Sequence, residues 1–128
     1  MRASDLVNVW ASPDNSRLTA KQTSFRLPVH VAAKLAALSQ MYPQKTKTQM
    51  VGDLLSAALA DLESELPSFP GKHFTDDEDQ GPLYEATGPA EQFRTLTNKH
   101  YIEMETELGN KTPMPFYAEN LLITKDGK

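Results

Sequence analysis

The sequence predicts a mainly α protein. A strand–helix–helix unit shares its core with a second copy, and a C-terminal helical extension follows. Three observations carry this expectation. Between Arg17 and Val51 there is no acidic residue, and six basic ones stand there: Arg17, Lys21, Arg26, Lys34, Lys45 and Lys47. Inside that window the apolar period changes from two to about 3.6 residues, the change from strand to helix. The second helix carries an apolar face too wide for one neighbouring helix to cover.

The elements follow in order. Residues 1–18 read as a flexible arm, with Leu6, Val7, Val9 and Trp10 ahead of the turn-rich Ser12-Pro13-Asp14-Asn15-Ser16. In Lys21–Leu27, Thr23, Phe25 and Leu27 alternate with Gln22, Ser24 and Arg26, which predicts a strand with one apolar face. Pro28 ends it and suits the first turn of a helix. Val31, Leu35, Leu38 and Tyr42 form one stripe, so a helix is expected to about Tyr42, where Pro43 stops it. Thr46 is a suitable N-cap for a second helix bearing Met50, Val51, Leu54, Leu55, Ala58, Leu59 and Leu62. A seven-residue strand and two helices cannot bury that surface alone, so a homodimer is expected. Residues 67–88, with Pro67, Pro70, Gly71 and the acidic run Thr75–Asp79, read as an acidic linker. A third helix is expected from Pro89 to about Leu108, with Phe93, Leu96, Thr97, His100, Tyr101, Met104 and Leu108 on one face and Gly109-Asn110 as its stop. Residues 89–128 form the helical segment and tail, with a short strand at Leu121–Ile123.

Charge is segregated. The chain carries a net -4, yet the window 17–51 is purely cationic and residues 67–128 are acidic in balance. A compact basic unit inside an acidic protein is the footprint of a phosphate-binding module. There are no cysteines, so neither a disulfide framework nor a thiolate metal site is expected. His30, His73 and His100 lack metal-ligand spacing, and Asp76-Asp77-Glu78-Asp79 lacks the spacing of a calcium loop. No nucleophile–base or paired-carboxylate arrangement follows from spacing, so no enzyme, metal or cofactor is expected. No apolar run is long enough to span a membrane, and the N-terminus lacks the layout of a secretory signal, so a cytoplasmic location is expected.

The strand Gln22–Leu27 running into Pro28, the amphipathic helix, the short turn and Lys45-Thr46-Lys47-Thr48 opening an apolar helix resemble the ribbon-helix-helix DNA-binding family of the Arc and methionine repressors. The resemblance covers residues 21–66, a little over a third of the chain, within an expected domain of residues 19–66, and rests on the order of its short motifs. It implies an intertwined dimer whose paired strands form a ribbon in the DNA major groove. It also implies that Gln22, Ser24 and Arg26 read bases, with Arg26 able to pair bidentately with guanine. Lys21, Lys45, Thr46, Lys47 and Thr48 would hold backbone phosphate at the N-terminus of the second helix. Phe25, Leu27, Val51, Leu54, Leu55, Ala58 and Leu59 would form the dimer core.

The expected function is sequence-specific binding of double-stranded DNA by a homodimeric transcriptional repressor, with higher-order assembly on DNA left open. One alternative is an antitoxin whose residues 67–128 bind a toxin. Another is an interaction protein that uses the fold only to dimerise. The bland readings are an ordinary wet strand face for Gln22, Ser24 and Arg26, and plain capping for Thr46 and Thr48.

Overall fold

The computed structural model describes residues 17–118 and 121–125. Most of the expected N-terminal arm therefore lies outside the described residues. Helix α1 spans Val29–Met41, α2 Lys47–Glu65, and α3 Pro89–Glu107. Strands β1 (Phe69–Asp77), β2 (Gly81–Thr87) and β3 (Leu122–Ile123) form one antiparallel sheet in the order β1-β2-β3. The chain divides into two compact units, the first ending at Ser64 and the second beginning at Glu65.

This architecture corrects the expected fold class. The chain mixes helix and sheet and is not a mainly α ribbon-helix-helix dimer with an N-terminal ribbon. Lys21–Leu27 alternates as a strand would, but it forms no ladder and every one of its residues is exposed. Among the described residues no strand lies beside it to form a ladder, and period-two patterning alone does not supply one.

In the first unit, Pro28 is the N-cap of α1, and its carbonyl accepts the N–H groups of Val31 and Ala32, each at 3.0 Å. Pro43 follows the helix, and the turn closes with the Lys45 N–H donating to the Tyr42 carbonyl at 3.1 Å. Helix α2 opens on a reciprocal cap. The Gln49 N–H donates to Thr46 Oγ1 and the Thr46 N–H to Gln49 Oε1, both at 3.1 Å. That is a capping box, which satisfies two N–H groups that the helix leaves without internal partners. Met50 and Ala57 are fully buried and pack against Leu38, Tyr42 and Leu54. Leu35 is the buried residue of α1.

In the second unit the segment expected as a linker is a β-hairpin. Its acidic run is the turn. Asp77 Oδ1 accepts the N–H groups of Asp79 (2.8 Å) and Gln80 (3.0 Å), and Gly81 then takes φ 79°, the left-handed region that glycine enters freely. The ladder pairs Phe69 with Thr87 and Asp77 with Gly81, with register shifts on either side of His73. Pro70 is tolerated because β1 is an edge strand. Gly88, at φ 101°, then turns the chain into α3. A Cβ at Gly88 would lie 2.7 Å from the Phe69 ring, so the turn excludes other residues twice over.

Helix α3 buries Ala90 and Asn98, and Leu96 and Met104 from its expected apolar face are exposed. The reason is Asn98. Its side chain makes two hydrogen bonds to the backbone of Tyr117, accepting from N–H at 2.8 Å and donating to C=O at 3.1 Å. Phe93, Tyr101, Phe116 and Tyr117 form a chain of ring contacts beside it. The returning segment reaches the sheet, where the Ala86 N–H donates to the Leu121 carbonyl and β3 pairs Ile123 with Tyr84.

Candidate nucleic-acid interface

The acid-free window maps onto the first unit: the segment before α1, all of α1, the turn, and the first turn of α2. Gln22, Ser24 and Arg26 are exposed, as base-reading side chains must be. The segment carrying them lies against the helices. Phe25, Arg26 and Leu27 line an apolar groove of about 400 Å³ with Val31, Leu35, Val51, Leu54 and Leu55. The alternating pattern is thus half realised: Phe25 and Leu27 wall the groove, though Phe25 is still 76% exposed. Arg26 borders the same groove and is exposed.

The expected phosphate residues cluster at the start of α2. Thr46, Lys47 and Thr48 are exposed and Lys45 is half buried. The Thr46 oxygen is engaged by the Gln49 N–H, which makes it a cap first. Its O–H remains a donor, and Lys47 and Thr48 present first-turn N–H groups. No acidic residue stands in that turn, so the positive end of the helix dipole is reinforced by lysine rather than offset. Lys21 lies upstream, in the segment before α1, its carbonyl accepting the Thr19 hydroxyl at 2.8 Å.

The residues expected in the dimer core divide into two groups. Val51 and Leu54 are half buried. Phe25, Leu27, Leu55, Ala58 and Leu59 are exposed in the single chain.

No group of three or more His, Cys, Asp or Glu residues among the described residues is placed to hold a metal ion. His73 pairs with Asp76 at 3.1 Å and stands edge-on to Tyr84, and His100 lies 3.5 Å from Glu103; both histidines are exposed. The Asp77 carboxyl is held below the ordinary Asp range by its hydrogen bonds from the backbone of Gln80 and then Asp79. No helix among the described residues is long and apolar enough to cross a membrane.

Two residues escaped the sequence reading. Asn98 follows Thr97 in the apolar stripe of α3, and a polar amide at a core position was the available signal. Asp77, four residues ahead of Gly81, is a turn signature that the surrounding carboxylates masked.

Comparison with protein families, curated proteins and solved structures finds no significant match. Function therefore rests on the geometry and charge of the chain itself.

Proposed function

We propose that this chain is a sequence-specific double-stranded DNA-binding protein, acting as a homodimer to repress transcription. One observation carries the reading. A cationic segment, residues 17–51, with six Lys and Arg and no carboxylate, lies within the first compact unit of a chain that is acidic in balance. Phosphate attraction is set by local charge more than by the net charge of the molecule. Base selection falls to the exposed Gln22, Ser24 and Arg26, all hydrogen-bond donors, and anchoring to Lys21, Lys45, Lys47 and the hydroxyls of Thr46 and Thr48. Dimerisation suits the task, because two copies double the phosphate contacts and read a symmetric site. The exposed apolar surface of the first unit supports it.

The test is selection of bound sequences from random duplex DNA, followed by a salt series on the winner. Affinity should fall linearly in log–log form, with a slope of about -0.9 for each phosphate neutralised. A protein that enriches no sequence, and binds duplex no better at low salt than at high salt, refutes the reading.

A second reading concerns residues 65–128. Phe69, Phe74, Met114 and Phe116 are all exposed there, which favours a protein partner for that unit, as an antitoxin requires. Co-purification of a protein encoded beside this chain, lost when Phe74 and Phe116 become Ser, would support it.

A further inference from the structure

Helix α2 is amphipathic in two directions. Met50, Leu54 and Ala57 form the side that makes the core of the first unit. A second stripe runs Thr48, Gly52, Leu55, Leu59 and Leu62, alternating steps of four and three residues. That 3.5-residue spacing is the period with which one helix follows another along its length. Among the described residues the leucines of this stripe are about half exposed, Leu55, Leu59 and Leu62 at 52%, 50% and 54%; Leu55 borders the groove of Phe25 and Leu27, and Thr48 and Gly52 line an open hollow with Arg17 and Leu18. Gly52, inside the helix and lying on this line, has nothing within 4 Å of where a Cβ would stand. A mid-helix glycine costs about 1 kcal/mol against alanine, and no close contact among the described residues requires it.

Charge along α2 runs against the helix's own dipole. Its first residue is Lys47 and its last turn holds Glu63 and Glu65, with no acid in the first turn and no base in the last. Each is the unfavourable sign for its end. Lys47 and Glu65, the two ends, are about five turns apart and so lie on one line of the helix, flanking the leucine stripe.

We propose that this stripe is the seat of a second copy of the same helix, packed antiparallel about a two-fold axis near Leu55 and Ser56. The inference rests on the homodimer of the functional reading and gives it an axis and a register. In that register Leu55 meets its own counterpart. Leu59 of each copy enters the space left by Gly52 of the other, and Leu62 lies over Thr48. Lys47 comes beside Glu65 of the second copy on one flank, and Glu63 beside Gln49 on the other. The opposed dipoles cover each other's mismatched charge. A parallel pair sets Lys47 against Lys47 and Glu65 against Glu65, and leaves the dipoles aligned. Charge thus selects the antiparallel form.

The chain has no cysteine, so single introduced thiols report the register without background. Leu55→Cys is expected to give a disulfide-linked dimer rapidly on mild oxidation. Leu62→Cys alone is not, because its two copies stand roughly 20 Å apart along the seam. Thr48→Cys mixed with Leu62→Cys should cross-link. All three positions are exposed, and circular dichroism checks that each variant folds. Lys47→Glu should weaken self-association by roughly three- to thirtyfold in sedimentation, and adding Glu65→Lys should restore it. Within one chain these residues are too far apart to interact, so rescue reports contact between chains. Self-linking of Leu62→Cys as fast as Leu55→Cys, failure of the double charge variant to rescue, or a monomer throughout the concentration series each overturns the proposal. The cross-linked Leu55→Cys dimer is then offered the selected DNA. A linked dimer that ignores DNA defeats the DNA reading and leaves the seam intact. DNA binding without any cross-link does the reverse.

Discussion

Arg26 sits between two apolar neighbours, Phe25 and Leu27, and shares the wall of their groove. Arg26→Ala should cost roughly 1–3 kcal/mol on the preferred site and relax selection at one base position. Lys21→Ala should instead weaken binding to all sequences alike and reduce the salt slope by about one. Equal losses for Arg26→Ala on selected and random duplex would remove it from the readout. Asn98 is the second residue whose surroundings settle its role. It is buried, and both ends of its amide are used by the backbone of Tyr117. Asn98→Ala removes both hydrogen bonds to the Tyr117 backbone in a part-buried place, which should cost about 1–3 kcal/mol. Urea unfolding of the full chain measures it, with Tyr101 and Tyr117 fluorescence reporting on that region.

At the scale of elements, the helices and the short strand at Leu122–Ile123 were legible, and the β1–β2 hairpin was not. Helix α1 was readable because Val31, Leu35, Leu38 and Tyr42 keep one phase and Pro43 ends it; α2 was readable because Thr46 and Gln49 make an uninterrupted cap ahead of a long apolar run. The strands hide their period. Pro70, Gly71 and Pro82 interrupt the alternation, and the register shifts around His73 break what remains. The acidic run looked like a solvated linker because its charge was visible and its hydrogen bonding was not. Lys21–Leu27 shows the opposite failure: a clean alternation with no partner strand. In the candidate site the residue types could be read from the sequence. The Thr46 cap is local and was legible as well, whereas the place of Arg26 in a groove wall depends on tertiary placement. The hairpin turn gives a pH prediction. Asp77 is held below its ordinary pKa by two backbone donors. Its contribution is therefore present above the unfolded-state value and is lost as pH falls through the depressed folded value. The amide resonances of Asp79 and Gln80 should shift together at that low folded value. Titration of Asp77 at an ordinary or raised pH would contradict the cap.

For the whole molecule, the two units differ in what stabilises them. The second closes on itself through a hairpin, a helix, the Asn98 hydrogen bonds and the aromatic contacts. Among the described residues the first buries Leu35, Met50 and Ala57 of its larger apolar set and leaves the leucine stripe of α2 about half exposed. A unit completed by self-association melts at a temperature that depends on protein concentration, and a self-contained one does not. Calorimetry across a concentration series should show one transition that moves upward with concentration and one that stays fixed. Two fixed transitions would make the first unit self-sufficient.

Sheet order carries a further consequence, for synthesis. The strand at the centre of the sheet, β2, finds β1 within a tight turn, but its other neighbour is the two-residue β3. At about 5–20 residues per second, the ribosome delivers Leu122–Ile123 a few seconds after Thr87. During that interval every nascent copy exposes one raw side of β2, at the high local density of a polysome. Whatever limits the yield of this protein in a cell is expected to act in that interval, so slowing translation between Gly88 and Leu121 should lower the soluble fraction.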